Sequence, residues 1–306
     1  MTTTDKHIVI AGGSGLIGTE LANLLRKNEL SVSILTRDEK LAKKPVYIYW
    51  NPSKGEIDIE ALKSANILIN FSGSNINTRW TSKAKKQIVE SRVTPVKFLV
   101  DCCTKNNITL SQIICASAVG IYPQKRTAHK HYTEKGQTGD GFLSKTVIKW
   151  EDANTLFEQV GPLIQLRIGL VLANNGGAFP LLKKITQYGL ASTIGTGKQG
   201  YSWIHIDDLA KLILYVIEKN LFGTYNAVAP NPVNQKQFMK ALASELNKPK
   251  ILPPAPSWLL KLLLGERAML ITKGAYVSSK KIIDEGFSFQ FPTLPSALKH
   301  LIHENA

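Results

Sequence analysis

The chain has few cysteines and no long apolar run. Its 306 residues include three cysteines, Cys102, Cys103 and Cys115, whose spacing fits neither a metal site nor a redox pair. We therefore expect reduced, buried thiols and no bound metal. No stretch reaches the roughly 18 apolar residues that a membrane helix needs, and the first residues lack the apolar core of a secretion signal. These absences favour a cytoplasmic protein with no membrane partner.

Acidic residues are also scarce relative to basic ones. The sequence has 38 Lys and Arg against 23 Asp and Glu, a formal net charge of +15. Such an excess is typical of proteins that bind nucleic acid, anionic membranes or anionic small molecules. The lysines are scattered, however, and no dense basic segment alternates with aromatic residues. We therefore expect a solvated surface with a positive ligand cleft and no nucleic-acid partner. Nothing in the sequence indicates an oligomeric state.

The most informative feature present is a glycine run that follows the first apolar strand. Glycines spaced G-x-x-G-x-x-G end the strand, and an amphipathic helix begins at once. Glycine permits a sharp turn and close approach of a diphosphate, and the helix N-terminus presents free N–H groups to it. This pattern predicts a dinucleotide site, although a structural turn without a ligand has the same signature. The predicted contacts are Gly12, Ser14, Gly15, Leu16, Ile17 and Gly18.

Short apolar runs alternate with amphipathic stretches over the first two thirds of the chain. The predicted strands are His7–Ala11, Ser31–Thr36, Val46–Trp50, Ile67–Phe71, Gln112–Ala116 and Leu163–Ile168. The clearest predicted helices are Leu16–Lys27, Ser82–Thr104 and Phe142–Phe157. Almost wholly apolar strands separated by helices indicate a parallel sheet covered on both faces. We predict an α/β fold, a doubly wound parallel sheet over residues 1–225, and a smaller, mostly helical lobe over residues 226–306.

The end of the second predicted strand bears on which dinucleotide is bound. An acidic side chain there would accept hydrogen bonds from the ribose hydroxyls of NAD(H) and repel a 2′-phosphate. Thr36 takes that place here, and Arg37 follows it with a guanidinium that can pair with phosphate. NADP(H) is therefore favoured over NAD(H). Asp38 is the counter-argument, because a small shift of the loop would bring its carboxylate to the ribose.

Motifs along almost the whole chain resemble one protein family. In chain order they are GGSGLIG, INFSGSNI, RWTSKAKKQIVESRV, ASAVGIY, FLSKTVIKWE, RIGLVL, GTGKQGYSWIHIDD, YNAVAPNPV and GFSFQFPTLPSAL. Together they resemble atypical or extended short-chain dehydrogenases/reductases, in the epimerase-like subfamily that carries a C-terminal domain of unknown function. The resemblance implies a Rossmann fold, a cofactor at the carboxyl edge of the sheet, a substrate cleft under the C-terminal lobe, and the family-specific domain at about residues 250–298.

The resemblance also implies roles for individual residues. Ser72 and Gly73 would line the path of the nicotinamide ribose and diphosphate. Ser117 takes the place of the active-site serine, whose hydroxyl group hydrogen-bonds a substrate oxygen. Arg167 would point toward the cleft, and Arg92 belongs to a family signature. We place both arginines among the predicted cofactor contacts.

The catalytic pair typical of active members is missing. Those proteins carry Tyr and Lys four residues apart, on one face of the helix after the fifth strand, where the lysine lowers the tyrosine pKa. Alignment on Glu151 puts Leu143 and Val147 at these two places. Tyr122 is a candidate substitute proton donor, with a packing role as the alternative. His205 fits a strand-to-helix junction better than a general base, and Asp207 or Asp208 is expected to cap the helix that follows.

Two functions stay open on the sequence. The first is an NADP(H)-dependent oxidoreductase or epimerase acting on a small polar, sugar-like substrate, with Ser117 polarising the reacting oxygen. The second is a protein that binds NADP(H) as a sensed or structural ligand and has lost catalysis. The missing Tyr/Lys pair favours the second function, while the retained cleft motifs fit both.

Overall fold

The computed structural model describes residues 6–124, 131–248, 252–255, 262 and 265–304. Its strands are β1 His7–Ala11, β2 Ser31–Thr36, β3 Tyr47–Asn51, β4 Glu56–Ile57, β5 Ile67–Asn70, β6 Gln112–Ala118, β7 Leu163–Ile168, β8 Leu170–Leu172, β9 Ser192–Ile194, β10 Gly200–Tyr201, β11 Trp203–His205, β12 Gly223–Ala227, β13 Val233–Asn234 and β14 Leu252–Ala255. Its α-helices are α1 Leu16–Lys27, α2 Ile59–Lys63, α3 Ser82–Lys105, α4 Phe142–Asn154, α5 Phe179–Gln187, α6 Ile206–Glu218, α7 Gln235–Glu245, α8 Met269–Thr272, α9 Lys280–Asp284 and α10 Leu294–Lys299.

Eight strands form the main sheet, in the order β12-β7-β6-β5-β1-β2-β3-β4. All neighbouring pairs are parallel except β3 and β4, which pair antiparallel at one edge. The chain runs outward from β1 through β2 and β3, and then returns to the other side of β1 with β5. The strand order therefore reverses between β1 and β5, and ligands of such sheets bind in the crevice at this point.

The sheet is covered on both faces, as the apolar strands predict. Alternate residues of one strand enter different cores: Ile8 and Ile10 pack with α1 and α6, whereas Val9 and Ala11 pack with α3. This arrangement explains why the strands are almost continuously apolar. The predicted doubly wound α/β fold is confirmed.

The C-terminal region is built on a third core that draws on distant segments. Trp203 and Phe238 pack there with Leu298 of α10. The carboxylate of Asp208 accepts the backbone N–H groups of Gln290 and Phe291 at 2.7 and 2.9 Å. Strand β12 crosses the predicted boundary between residues 225 and 226, and ends at Ala227. The division into two domains stays a prediction.

The beginning of α6 differs from the sequence-based expectation. His205, rather than Asp207 or Asp208, is the N-cap, since its Nδ1 accepts the backbone N–H of Asp207 at 3.1 Å. The Asp208 carboxylate instead accepts the backbone N–H groups of Gln290 and Phe291 in the C-terminal segment. Among the described residues, no helix is both long and apolar enough to cross a bilayer. The expected cellular compartment stays a prediction.

Candidate functional site

The glycine loop packs so closely that side chains are excluded from it. Gly12 has φ +77°, and a Cβ there would lie 2.7 Å from the carbonyl carbon and oxygen of Phe71 at the end of β5. A Cβ on Gly18 would lie 2.5 Å from the Cα of Gly13. Helix α1 starts after Gly15 without a side-chain cap among the described residues, so its first N–H groups stay open. The loop thus presents backbone donors at the point where the strand order reverses.

A cavity of about 830 Å³ opens beside this loop, along the carboxyl ends of β1, β2 and β5. We call it the open cavity. Seven of the predicted cofactor contacts line it: Gly12, Ser14, Gly15, Thr36, Arg37, Ser72 and Gly73. Sequence reasoning missed the parts of the wall supplied by β3 and α3, which include Trp50, Ser53, Gln87, Ser91 and Thr94. The only sequence signal of these residues is a position at or just after the end of a strand, as for Trp50 and Ser53, or on the polar side of an amphipathic helix.

Other predicted contacts lie behind this wall. Leu16, Ile17 and Gly18 form the first turn of α1 and are not part of the cavity lining. Arg92 and Arg167 do not line the open cavity either. Their direct contact with a cofactor stays a prediction.

The end of β2 shows how Arg37 and Asp38 differ in their freedom. The Asp38 carboxylate accepts the backbone N–H groups of Lys40 and Leu41 at 2.8 and 3.2 Å, so it caps the turn that follows. The Asp38 N–H in turn donates to Thr36 Oγ1 at 3.1 Å. Arg37 is exposed at the cavity wall, and no ion pair holds it within the described part of the chain. The local charge facing the cavity is therefore positive.

Two buried polar atoms after β5 lack a partner among the described residues. They are Ser72 Oγ and Asn70 Nδ2, although Asn70 Oδ1 accepts the Ser72 N–H at 3.1 Å. A buried polar atom without a hydrogen bond is costly, by roughly 1–3 kcal/mol. Ser72 lines the open cavity, so a polar ligand there would satisfy its hydroxyl group. The glycine loop and this hydroxyl fit a dinucleotide.

Arg92 lies directly beneath the loop after β5. A Cβ on Gly73 would come within 3.2 Å of its Cζ, and the other side of the guanidinium faces the Trp150 ring at 5.0 Å. Arg92 donates to the carbonyl oxygens of Ile88 and Ser74 at 2.9 and 3.2 Å. Burial lowers the pKa of Arg92 to about 10. This guanidinium thus supports the cavity wall with its charge not paired to a carboxylate in the described chain.

A second polar cluster, which we call the Ser117 network, fills the carboxyl ends of β6, β7 and β12. Ser117, Arg167 and Asn226 occupy neighbouring register positions on these strands. Both Glu151 oxygens accept from Arg167, from Nε and Nη2 at 2.8 Å each, and Ser117 Oγ donates to Glu151 Oε1 at 2.5 Å. Burial lowers the pKa of Arg167, but the hydrogen bonds and charge of Glu151 outweigh this effect and raise it overall. The network is a buried ion pair whose carboxylate also accepts a hydrogen bond from the Ser117 hydroxyl group.

Tyr122 belongs to the same network. Its hydroxyl group donates to Asn226 Oδ1 at 2.7 Å and accepts from Arg167 Nη1 at 2.9 Å, and the side chain is 0% exposed. Burial raises the pKa of Tyr122, although Arg167 opposes the shift. These contacts fix the position of the Tyr122 hydroxyl group between Asn226 and Arg167. The predicted catalytic roles of Ser117 and Tyr122 stay predictions.

The two residues at the positions of the catalytic Tyr and Lys face the end of β6. Leu143 and Val147 lie on α4, and a Cβ on Gly120 would be 3.9 Å from Leu143 Cβ and 3.8 Å from Val147 Cγ2. Glu151 follows one turn further along the same helix face. The only charged group on this stripe is thus Glu151, which the Ser117 network already holds.

A smaller cavity of about 160 Å³ lies at the N-terminal end of α4. Gln124, Gly141 and Leu143 form one side of it, and Met269 and Lys273 of the C-terminal region form the other. Its position next to the Leu143 face makes it the candidate place for a small second ligand.

His205, Asp207 and His300 come close enough together to suggest a metal site. His205 Nδ1, however, uses its lone pair as the N-cap acceptor, so Nε2 carries the proton and faces His300 Nδ1 at 3.1 Å. The neutral His205 ring then has no lone pair left for a metal. Burial, with the charges of His300 and Lys211, lowers the pKa of His205 to about 3. The contact is a hydrogen-bonded junction between α6 and the C-terminal region.

Known proteins match the chain over most of its length. The model of the NAD dependent epimerase/dehydratase family matches residues 8–227, and a domain of unknown function, DUF1731, matches residues 255–301. An epimerase family protein of Staphylococcus aureus is 34% identical over 304 residues, covering 98% of this chain and 100% of the relative. The Bacillus subtilis epimerase family protein YfhF is 36% identical over 301 residues, covering 97% of this chain and 98% of the relative.

A solved structure matches the fold over nearly the full chain. The crystal structure of the human epimerase family protein SDR39U1, determined with NADPH, is 28% identical and covers 98% of this chain and 100% of its own, with a TM-score of 0.87. This chain therefore belongs to the NAD-dependent epimerase/dehydratase family and is one of its NAD(P)-binding members.

Proposed function

We propose that this protein binds NADP(H) in preference to NAD(H). The observation that carries the proposal is Arg37 at the cavity wall, which has no ion-pair partner among the described residues and lies beside an Asp38 carboxylate that already caps a turn. Thr36 stands where an acidic residue would repel a 2′-phosphate. The human relative with NADPH in its structure is consistent with this choice.

Different residues of the chain would bind different parts of NADP(H). The glycine loop and the open end of α1 would hold the diphosphate, Arg37 the 2′-phosphate, and Ser72 a hydroxyl or phosphate oxygen of the nicotinamide half. The bound nicotinamide would supply hydride-transfer chemistry.

Replacement of Arg37 tests the cofactor preference. Arg37→Ala removes a charge-assisted pair worth about 1.5–3 kcal/mol, so NADPH affinity should fall roughly 10- to 150-fold while NADH affinity changes little. Isothermal titration calorimetry measures both. Lys40→Ala is the control, because it removes one positive charge from the same loop outside the cavity lining. Unchanged NADPH affinity in Arg37→Ala would refute the assignment.

We further propose that the bound cofactor is sensed rather than turned over through Tyr/Lys acid–base chemistry. Leu143 and Val147 cannot exchange protons, the Ser117 hydroxyl group already donates to Glu151, and Tyr122 is buried with a raised pKa. Each of these four side chains is therefore apolar or already bonded. NADPH should therefore raise the unfolding temperature strongly, while a panel of carbonyl substrates leaves NADPH absorbance at its background rate.

The second candidate function is an oxidoreductase or epimerase acting on a small polar substrate. The cavity of about 160 Å³ beside Leu143 favours it, since it offers room for such a molecule. Under this function the wild-type protein consumes NADPH with one member of a carbonyl or sugar-nucleotide panel, and Ser117→Ala abolishes that turnover. A turnover that Ser117→Ala leaves intact would remove Ser117 from the mechanism.

A further inference from the structure

The two arginines behind the strand ends differ in how their charge is balanced. Arg167 is paired through two nitrogens with Glu151, so its charge is neutralised within the Ser117 network. Arg92 pairs with no carboxylate of the described residues and relies on two carbonyl oxygens and the Trp150 ring. A half-buried cation in this setting keeps a positive field, because neighbouring dipoles do not cancel its net charge. Arg92 is therefore the uncompensated charge next to the open cavity wall.

A chain of close contacts connects Arg92 with the glycine loop. A Cβ on Gly12 would lie 3.0 Å from Ser72 N, and Gly73 rests on the Arg92 guanidinium. All three groups to which Arg92 donates, on Ile88, Ser91 and Ser74, belong to residues that line the open cavity. The positive field of Arg92 therefore acts on the part of the cavity beyond β1, away from Arg37.

This part of the cavity is where the nicotinamide half of a dinucleotide belongs. In doubly wound sheets the dinucleotide spans the crevice, with its diphosphate at the first helix and its two nucleosides on either side. The adenosine half belongs at the end of β2, where Arg37 lies, so the nicotinamide half lies over β5 and β6. Leu143 and Val147 face the end of β6 but do not line the open cavity.

The carboxylates on the nicotinamide side of the site are already paired with basic side chains. Glu151 is neutralised by Arg167. Glu90 lines the open cavity, but its carboxylate is half exposed and pairs with Lys86 at 3.6 Å, so water and the lysine screen it. The described residues around this part of the cavity are thus mainly uncharged polar side chains, such as Ser72, Ser91 and Thr94, with Arg92 as the charge that no carboxylate pairs.

We propose that the site distinguishes the two oxidation states of its cofactor, binding NADPH more tightly than NADP⁺, and that Arg92 sets this preference. The inference rests on the proposed function, NADP(H) binding. The nicotinamide ring of NADPH is neutral, whereas that of NADP⁺ carries a positive charge that Arg92 repels. Attraction between Arg92 and the phosphates is common to both forms and cancels in their affinity ratio. A protein built this way responds to the NADPH/NADP⁺ ratio rather than to total cofactor.

Calorimetric titration of NADPH and NADP⁺ into the same protein sample tests the proposal. The wild type should bind NADPH about tenfold more tightly or better, since like charges at the separation of neighbouring groups interact by more than ~1.4 kcal/mol at intermediate effective dielectric. Arg92→Gln keeps amide donors for the carbonyl oxygens but removes the charge, so the ratio should fall severalfold toward one. Arg92→Lys keeps the charge and should retain the ratio.

A matched control and a second neutral variant complete the experiment. Lys97→Gln removes one positive charge from an exposed position of α3 outside the cavity lining and should leave the ratio unchanged. Arg92→Met keeps the stem that packs on Trp150 and replaces Arg92→Gln if the latter does not fold. The ratio comes from one sample, so a partly unfolded variant does not alter it.

Each result has a distinct meaning. Equal affinity of the wild type for NADPH and NADP⁺ overturns the proposal, and so does a neutral variant that lowers both affinities with an unchanged ratio, which would make Arg92 a structural support only. Binding of neither form by the wild type would instead refute the proposed function.

Discussion

The open cavity and the Ser117 network lie at the ends of adjacent strands of one sheet, yet their polar groups are in opposite states. Beside β5, the Ser72 hydroxyl group has no partner among the described residues, and Arg37 and Arg92 have no carboxylate. Beside β6, the Ser117 hydroxyl group and both Glu151 oxygens are bonded within the protein. The difference shows that polar residue type alone does not mark a binding site. In this pair of regions, the Ser72 hydroxyl group that lacks a partner lines the open cavity, whereas the bonded Ser117 hydroxyl group supports the strand ends.

The largest expected effect comes from breaking the Ser117 network. Glu151→Gln should lower the free energy of unfolding by about 3–5 kcal/mol, because it leaves the Arg167 charge buried without its partner. Urea denaturation followed by tryptophan fluorescence measures the change. In the double variant Glu151→Leu/Arg167→Met most of the loss should be regained, since no unpaired charge remains.

The surface pair Glu60–Lys63 provides the control for this prediction. Glu60→Gln removes a largely exposed ion pair at 2.7 Å and should change stability by less than about 1 kcal/mol. If the double variant were as unstable as Glu151→Gln alone, the charge balance of the network would not be what stabilises this end of the sheet.

At mild acidity a smaller effect, about 2 kcal/mol at pH 5, is expected from the α6 junction, another closed cluster. The pKa of His205 is lowered to about 3, so between pH 6.5 and 3 the unfolded chain binds a proton that the folded chain does not. The contribution of His205 to the free energy of unfolding is thus fully present above pH 6.5. It is lost as the pH falls toward 3, by about 1.4 kcal/mol per pH unit.

Unfolding free energies at pH 6, 5 and 4 give this slope directly. His205→Asn keeps a side-chain oxygen as N-cap acceptor but does not titrate, so its slope should be smaller by about one proton. Identical slopes in both proteins would place the acid sensitivity elsewhere.

The smallest effect on stability is expected in the open cavity. Ser72→Ala removes a buried hydroxyl group that has no partner, so the free energy of unfolding without ligand should change by less than about 1 kcal/mol. NADPH affinity should nevertheless fall about tenfold, the worth of one good hydrogen bond.

Ser144→Ala is the matched counterpart, because the Ser144 hydroxyl group donates to the Gly120 carbonyl oxygen at 2.8 Å. Here stability should fall by about 1 kcal/mol while NADPH affinity stays constant. A Ser72→Ala protein that loses stability but keeps its NADPH affinity would contradict the proposed difference between the open cavity and the hydrogen-bonded regions.

Features encoded in adjacent residues were predictable from the sequence. The bounds of β1, α1 and β2 agree with the predicted ones residue for residue, because glycines, apolar runs and helical periodicity are local signals. The wall contributed by the glycine loop and by Thr36 and Arg37 followed from the same signals. Short strands such as β8, β10 and β13 were missed, since two or three residues become a strand only through pairing with a distant partner.

The pairing within the Ser117 network could not be predicted. Glu151 and Arg167 lie on a helix and on the strand after it, and no spacing rule connects a position on one with a position on the other. The N-cap of α6 was assigned to the wrong residue because Asp caps helices far more often than His does. In both cases the deciding contact depends on how tertiary packing aims a side chain.

The Asp208 carboxylate has a consequence for the synthesis of the chain. Its two partners, the N–H groups of Gln290 and Phe291, follow it by 82 and 83 residues. At translation rates of about 5–20 residues per second, some 4–17 s pass between the synthesis of Asp208 and the synthesis of the N–H groups that its carboxylate accepts. Until α10 is synthesised, Trp203, and Phe238 once it is made, lack the α10 side of their core, so a growing chain exposes an apolar surface that the finished protein covers. Slow translation between Asp208 and Phe291 would therefore lengthen the time in which nascent chains can associate wrongly.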